Sequence, residues 1–263
     1  MHTEILSYSA IKPNTGAAAV ALAGDSLIIK NNQGAIRPTI LASWGFQQVG
    51  GFQQITYPSG HDTTRGYRFT VSADNTAARV PLGSFLPLTA QENLTVTIGG
   101  SNVNAAVELG CSLVHYPSLP GVNSRAITYQ EYLNRLEKMT TIQASVTAAA
   151  GGNVYSEELI NSETDLLMAN RDYAVIGMES SVNCLTVTLR GTDLGNVRVG
   201  CPGGQNVDGY QSNFFKDLSE ATMLPLIPVI NSGNRNNTFL GVVCNDIGAG
   251  TPVPVTLYLA LLA

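Results

Sequence analysis

The sequence predicts an all-β protein made of two similar halves. Most apolar residues occur in short runs rich in β-branched and aromatic side chains, and Gly, Pro, Asn or Asp separates one run from the next. The same order of motifs occurs twice along the chain. One segment near the middle has apolar residues at helical spacing and divides the two series. These observations together predict two β-domains joined by a helical connector.

Strands are predicted wherever a β-branched or aromatic run lies between turn-forming residues. In the first half they cover residues 25–30, 39–47, 52–57, 67–72, 93–98 and 105–116. In the second half they cover residues 159–161, 173–178, 184–190, 196–201, 238–244 and 253–262.

The predicted helix runs from Thr128 to about Ala148. Thr128 and Glu131 have the spacing of a capping box, in which a hydroxyl and a carboxylate satisfy free amides of the first turn. The pair Gly151-Gly152 would end the helix. Its apolar stripe recurs at intervals of three and four residues and consists of Tyr132, Leu133, Leu136, Met139 and Ile142.

Two correspondences suggest that one half of the chain is a copy of the other. The phrase Leu-Pro-Leu, followed by a polar loop, a strand, a glycine turn and a long last strand, begins at Leu86 and again at Leu224. Leu27 and Leu159 begin a second matching pair of segments. The two offsets differ by a few residues, which predicts an insertion in the loop 200–220 of the second copy. Structural duplication is one interpretation, and chance agreement between two β-rich segments is the other.

The size of each half favours a jelly roll, a sandwich of eight strands. About 110 to 125 residues suit eight strands of ordinary length with their loops. An immunoglobulin-like sandwich usually carries a Cys, Trp, Cys framework. The only tryptophan of this chain, Trp44, is not part of such a framework. The predicted domains are an N-terminal arm (1–16), a first jelly-roll β-barrel (17–120), a helical connector (121–152) and a second jelly-roll β-barrel (153–263).

Two tandem jelly rolls resemble the double jelly-roll major capsid proteins of lipid-containing bacteriophages and adenovirus hexon. The resemblance covers residues 17–263 and is architectural, since no short motif here is diagnostic of that family. It implies a non-enzymatic structural virion protein whose homotrimers form pseudo-hexagonal capsomers of an icosahedral capsid. The implied location is the virion, assembled in the host cytoplasm. The implied partners are other copies of the chain within and between capsomers, with minor capsid or membrane proteins of the virion as further candidates.

The composition limits the classes of partner. Charged residues make up 13% of the chain and the net charge is −5, with Lys and Arg scattered, so we expect no direct binding to nucleic acid. So low a charge fits a surface buried against other subunits, or a low-charge β-rich protein from outside cells. The apolar run 253–263 is too short to span a bilayer and is predicted to be a buried last strand. The N-terminus lacks the features of a secretory signal, so we expect a mature chain or one that is not exported.

The four cysteines predict no metal centre. Cys111, Cys184, Cys201 and Cys244 occur singly, without C-x-x-C spacing or a histidine nearby. Buried free thiols are the simpler interpretation, and they favour synthesis in a reducing cytosol. One disulfide is the alternative.

A search for catalytic, cofactor-binding and metal-ligating residues predicts none. Among the histidines, His2 is terminal and His115 lies in a predicted strand. His61 is next to Asp62, but two adjacent loop residues cannot easily align as members of a catalytic triad. The sequence also has no G-x-S-x-G nucleophile elbow. A glycosidase would need paired carboxylates. The candidates are acids that solvent exposure explains as well: Glu157, Glu158, Glu163 and Asp165.

The repeat Gly-Phe-Gln-Gln within residues 45–54 predicts a hairpin that turns at Gly50-Gly51 and aligns four glutamine amides. Such a ladder could bind sugar or a neighbouring chain. With the acidic residues, it motivates the alternative function, a carbohydrate-binding or carbohydrate-active β-sandwich protein such as a lectin-like spike or a glycoside hydrolase.

Overall fold

The described part of the chain consists mainly of antiparallel strands, as the sequence predicts. The computed structural model describes the backbone of nine strands within residues 3–117, and both backbone and most side chains of residues 125–149, 155–160, 166–180, 184–196, 198–203, 211–244 and 248–263. The chain divides into two compact units, Leu6–Pro117 and Met1–Ile5 with Ser118–Ala263.

The first unit contains a five-stranded and a four-stranded sheet, with strand orders β3-β1-β9-β4-β7 and β2-β8-β5-β6. The strands are β1 (Thr3–Lys12), β2 (Val20–Ala21), β3 (Ala23–Gly24), β4 (Thr39–Gln47), β5 (Gly51–Thr56), β6 (Tyr67–Val71), β7 (Val80–Pro87), β8 (Thr95–Gly99) and β9 (Glu108–Pro117).

The second unit also contains a five-stranded and a four-stranded sheet, ordered β10-β16-β13-β18-β11 and β12-β17-β14-β15. Its strands are β10 (Ala126–Ile127), β11 (Leu136–Thr147), β12 (Tyr155–Leu159), β13 (Asp172–Ser180), β14 (Cys184–Gly191), β15 (Val199–Pro202), β16 (Ile227–Asn231), β17 (Thr238–Cys244) and β18 (Pro252–Leu262). Its helices are α1 (Tyr129–Arg135), α2 (Phe214–Thr222) and two 3₁₀ helices, Gln211–Asn213 and Ser232–Asn237.

The two units repeat one strand topology. When the two-residue strands β3 and β10 are set aside, each unit contributes eight strands in chain order. In both units the first, eighth, third and sixth strands form one sheet, and the second, seventh, fourth and fifth form the other. The register between the third and eighth strands shifts at the same place, between Ile40 and Ala42 in one unit and between Val175 and Gly177 in the other. This agreement in order and irregularity favours duplication over chance.

The sequence located most strands and missed several. The predicted strands 39–47 and 238–244 coincide with β4 and β17. The prediction for 25–30 lies outside the described residues. Residues 3–12, expected within an N-terminal arm, form strand β1 of the five-stranded sheet. The strands without a prediction are β1, β2, β3, β7, β10, β11 and β16.

The prediction of a helix from Thr128 to about Ala148 is wrong beyond its first two turns. The helix ends at Arg135, and Leu136–Thr147 form strand β11, which pairs antiparallel with β18. Thr128 is the N-cap, because its Oγ1 accepts a hydrogen bond of 3.2 Å from the amide of Glu131. Beyond Met139 the chain is rich in β-branched residues, which lose side-chain freedom in a helix and favour a strand.

Two other sequence interpretations are corrected by the strand pairing. β4 and β5 belong to different sheets, so residues 45–54 form no hairpin and the glutamines form no ladder across Gly50-Gly51. The Leu-Pro-Leu phrases are not equivalent in structure: Leu86 lies within β7, whereas Leu224 follows α2 and precedes β16. The repeated strand order is therefore visible in the pairing of the strands and not in that phrase.

Apolar side chains bury both faces of the five-stranded sheet of the second unit at its central strand, β13. Strand β13 has six consecutive buried residues, a pattern that alternation on a half-exposed sheet cannot produce. Its strands contact the four-stranded sheet, and α2 packs against β13 and β16. A cluster of apolar side chains from α1, β10, β13, β16 and β18 lies together: Ile127, Tyr132, Ala174, Ile176, Ile227, Val229, Ala260 and Leu262. In the described residues, no helix is both long and apolar enough to cross a bilayer.

Candidate interaction surface

Large apolar side chains are exposed where α1 passes into β11. Leu133 is 46% exposed, Leu136 37% and Met139 58%. Leu136 is paired with Leu262 and Met139 with Ala260, two residues of the apolar cluster. Leu136 and Met139 therefore continue the buried cluster out to the surface. The contact from the Tyr132 hydroxyl to Met139 Sδ, 3.7 Å, fixes the position of Met139.

The loop before β13 adds two more exposed apolar side chains at the same end of the sheet. Leu166 is 70% exposed and Met168 is 52% exposed. The backbone of Met168 is fixed at both ends, because its amide donates to the Tyr173 hydroxyl at 2.8 Å and its carbonyl accepts from Ser232 Oγ at 2.6 Å. The loop is thus held by buried partners while its apolar side chains face outward.

An ion pair joins the loop to β11. Arg171 Nη2 donates to Glu137 Oε2 at 2.8 Å and to the carbonyl of Leu262 at 3.2 Å. Glu137 lies at the register shift between Leu136 and Lys138, which places its carboxylate next to the exposed leucine. We call the five exposed apolar side chains near this end of the sheet the apolar rim: Leu133, Leu136, Met139, Leu166 and Met168.

A polar network holds the same end of the second unit together. Arg125 binds both carboxylate oxygens of Asp172, and its backbone amide donates to the carbonyl of Asp193 at 2.8 Å. Asn231 donates to Asp172 Oδ1 at 2.8 Å, and its backbone amide donates to Asp193 Oδ2 at 2.9 Å. Burial acts to raise the pKa of Asp172, but the hydrogen bonds from Arg125 and Asn231 and the charges of Arg125 and Arg135 outweigh it and lower the pKa. The charges of Arg125 and Asp172 are thus paired, and the hydrogen bonds hold the segments around Arg125, Asp193 and Asn231 together.

The acidic residue Glu157 is not arranged as a catalytic acid. Arg190 binds both of its carboxylate oxygens, with contacts of 3.0 and 2.6 Å, and the Tyr155 hydroxyl donates to Oε1 at 2.7 Å. Burial acts to raise the pKa of Glu157, but Arg190, Tyr155 and the charge of Arg198 together lower it. An ionised carboxylate with these partners has no proton to donate near neutral pH. Glu163 and Asp165 lie outside the described residues.

The Tyr155 ring packs tightly against this ion pair. The guanidinium carbon of Arg198 is 4.1 Å from the centre of the ring, and that of Arg190 is 4.3 Å from the centre of the Phe239 ring. The pKa of Tyr155 is raised, chiefly by burial, so this hydroxyl stays protonated. The cluster stabilises the outer face of the four-stranded sheet through charge and ring contacts.

The three described thiols of the second unit are free and buried. Cys184, Cys201 and Cys244 are free and buried, which confirms the prediction of buried free thiols for these residues. Burial raises the pKa of Cys184 well above its ordinary value, and the neighbouring Cys244 raises it further. Cys184 Sγ contacts the Thr186 carbonyl and Cys201 Sγ the Met178 carbonyl, both at 3.2 Å. The side chain of Cys111 lies outside the described residues.

The structure brings no predicted catalytic group into a described site. His2, His61 and Asp62 lie outside the described residues, and only the backbone of His115 is described, in β9 opposite Thr39. Among the side chains that are described, no three His, Cys, Asp or Glu residues are grouped so that they could hold a metal ion.

The apolar rim was missed by sequence reasoning, although its residues were visible. The apolar stripe that contains Leu133, Leu136 and Met139 was interpreted only as evidence of a helix, and no interaction surface was predicted from it. The run Leu166-Leu167-Met168 is a usable signal, because three apolar residues in a row between polar neighbours are unusual for a loop.

Comparisons with known proteins leave the family open. No family model matches the chain, and no curated protein matches it. Among solved structures, the chain is similar to the PBSX exported protein XepA, with 11% sequence identity and a TM-score of 0.27 over 99% of this chain and 86% of that chain. A likeness at that TM-score carries no argument about fold or function.

Proposed function

We propose that this chain is a structural virion protein, the major capsid subunit of an icosahedral shell, with two tandem jelly rolls and no catalytic activity. The observation that carries the proposal is the strand order, which occurs twice. Sheets in which the first, eighth, third and sixth, and the second, seventh, fourth and fifth strands are neighbours have the order of a jelly roll, an eight-stranded double Greek key. Two such units in one chain are the architecture of the double jelly-roll capsid proteins.

The chemistry of the described side chains supports a structural role. The carboxylates of Asp172 and Glu157 pair with arginines, and the described thiols are buried. The low share of charged residues, 13%, suits a protein whose surface is largely covered by neighbours. In the proposed assembly three chains form a capsomer with a pseudo-hexagonal outline, and capsomers meet edge to edge to form the shell.

The alternative, a carbohydrate-binding or carbohydrate-active protein, is not favoured by a specific observation. The glutamine ladder does not form, and Glu157 is bound by Arg190 and Tyr155, which lower its pKa, so it is not suited to donate a proton. Residues 161–165, which contain two of the other three predicted acids, Glu163 and Asp165, lie outside the described residues.

Size-exclusion chromatography with light scattering tests the proposal on the purified full chain. We expect a mass of three chains, or larger shells, over a concentration series. A stable single-chain mass at every concentration would contradict a capsid role. A glycan array run on the same sample separates the alternative, since selective sugar binding by a monomer would favour the carbohydrate-binding function.

A further inference from the structure

We propose that the exposed edge of β11 pairs antiparallel with the same strand of a second copy of this chain, about a two-fold axis at Ala144. The inference rests on the proposed function and deepens it, because it assigns one contact between capsomers to a named strand. It starts from the sheet order. Strand β11 lies at one end of the five-stranded sheet and, among the described strands, pairs on one side only, with β18.

The edge of β11 has the length and composition of a strand that accepts another strand. It extends over 12 residues, and alternate residues of an edge strand direct their backbone N–H and C=O groups away from the sheet. Proteins commonly protect such an edge with charged side chains, proline, a bulge or a short strand. In β11 the register shift, Glu137 and Lys138 all lie at the first end, and Met139–Thr147 contain no charged residue and no proline.

The other edge strands described in the second unit do carry such protection. Strand β10 has two residues, and β15 has four and ends at Pro202. Strand β12 has five residues, of which Glu157 and Glu158 are charged. Protection is therefore weakest at β11, which is also the longest of these edges.

The first unit shows that this side of the sheet can take a further strand. Strand β1, which has the same place in the strand order as β11, pairs with β3, with Tyr8 opposite Gly24 and Ser9 opposite Ala23. The added strand there belongs to the same polypeptide. In the second unit no described segment pairs with that side of β11, so a strand of another chain can occupy it.

The buried face of β11 is complementary to itself in an antiparallel pair. Ile142, Ala144 and Val146 are buried, and β11 contacts β12 and β17 of the four-stranded sheet. An axis at Ala144 places Ile142 opposite Val146 of the second copy and Ala144 opposite its own equivalent. The two larger side chains of this face thus meet, and the small one lies on the axis. A register shifted by one residue is excluded, because it would place this buried face opposite the exposed one.

The exposed face of β11 is self-complementary as well. The same axis places Thr141 opposite Thr147 and Gln143 opposite Ser145. All four residues are exposed, and each side chain carries a neutral group that both donates and accepts hydrogen bonds. Hydroxyl pairs of this kind stabilise neighbouring antiparallel strands, and no like charges meet, since Thr141–Thr147 contain no charged residue. The match of both faces identifies a second copy as the occupant.

Charge complementation at Thr141 and Thr147 of the full chain tests the inference. The two positions are exposed and lie roughly 20 Å apart along the strand, so charges placed there interact little within one chain. In Thr141→Lys/Thr147→Lys the lysines of two copies would lie opposite each other. We expect this variant to raise the concentration needed for assembly beyond three chains by about tenfold or more in sedimentation velocity.

The matched control is Thr141→Lys/Thr147→Glu, which changes the same two positions but places Lys opposite Glu across the pair, and should assemble like the wild type. Thr141→Glu/Thr147→Glu should be impaired alone, and an equimolar mixture with the double-lysine variant should regain assembly. Far-UV circular dichroism checks folding. If the double-lysine variant unfolds, hydrogen exchange of the wild type decides: the amides of β11 should gain protection as the concentration rises, and unchanged protection would overturn the inference.

The remaining outcomes separate the inference from the capsid proposal. If all variants assemble like the wild type, or if mixing restores nothing, β11 does not pair with itself and the inference is overturned, while the capsid proposal stands. A wild type that forms trimers and nothing larger overturns the inference and leaves the trimeric capsomer in place. A wild type that stays a single chain at every concentration contradicts both proposals.

Discussion

At the scale of single residues, Gly241 is the position where packing in the four-stranded sheet leaves the least room. A Cβ atom there would lie 2.3 Å from Tyr155 Oη and 2.5 Å from Thr188 Oγ1. Both atoms belong to the cluster that binds Glu157, so they cannot move without loss of hydrogen bonds. The sequence shows Gly241 only as a glycine between apolar residues, and nothing in it indicates a tyrosine 86 positions earlier as the cause.

We predict that Gly241→Ala destabilises the protein by about 1–3 kcal/mol, the usual cost of overpacking. Gly248→Ala is the matched control, since its nearest contact would be Thr251 Oγ1 at an ordinary 3.6 Å. Urea unfolding followed by circular dichroism measures both. Equal stability of the two variants would show that the Tyr155 ring does not press on Gly241.

Asp172 makes the stability of the second unit depend on pH. Burial opposes ionisation, but Arg125 and Asn231 lower its folded-state pKa below the ordinary 3.8. A lowered pKa contributes stability that is fully present above pH 3.8 and is lost as the pH falls through the folded-state value. We therefore predict that Asp172→Asn lowers the melting temperature at pH 7 and that its difference from the wild type shrinks below about pH 4.

The matched substitution for that measurement is Asp217→Asn, which removes an acid from the surface of α2. It should leave the melting temperature nearly unchanged over the same pH range, because exposed ion pairs contribute little. A constant difference between Asp172→Asn and the wild type from pH 7 to pH 3 would contradict the account of the network.

At the scale of elements, the boundary between α1 and β11 shows what sequence patterns can and cannot predict. The N-cap at Thr128 was predictable, because capping depends on neighbours three residues apart. The end of the helix was not predictable. Apolar residues continue at helical spacing through Met139 and Ile142, and the strand-like alternation of Ile142, Ala144 and Val146 begins before that spacing stops. Pairing of Leu136–Thr147 with β18, more than 100 residues away in sequence, decided between the two periods.

Loss of the Thr128 cap should lower the stability of the protein more than the exposure of this residue suggests, because α1 has only seven residues. We predict that Thr128→Ala destabilises the protein by about 1 kcal/mol, through the unsatisfied amide of Glu131. Thr147→Ala, at the exposed end of β11, is the control and should change stability by less than half of that. Thermal unfolding compares them, and equal shifts would mean that the hydroxyl of Thr128 contributes nothing as a cap.

The corrected hairpin has a similar physical cause. Gly50-Gly51 has the composition of a tight turn, and local chemistry alone favours a hairpin there. In the structure β4 pairs with β7 and β9, while β5 pairs with β6 and β8, so the chain crosses from one sheet to the other at that point. Which sheet a strand joins is set by partners distant in sequence, and no local motif encodes it.

At the scale of the whole molecule, the all-β fold class was predictable from the sequence. Runs of β-branched residues between turn residues are enough to indicate all-β structure. The strands that were not predicted include β7 and β16, which lie in less regular segments of the sequence. The doubled strand order emerged from the pairing of strands, since sequence identities between the halves are too few to align. The proposal of a capsid subunit depends on that doubled order together with the low share of charged residues.

Electron cryo-microscopy of the purified full chain is the most direct test of the central claim that this protein assembles a shell from repeated eight-stranded units. The account predicts particles in which three chains form a capsomer of six similar lobes, each lobe one eight-stranded unit. Isolated single chains, or an assembly whose chains show two halves with different strand orders, would contradict it.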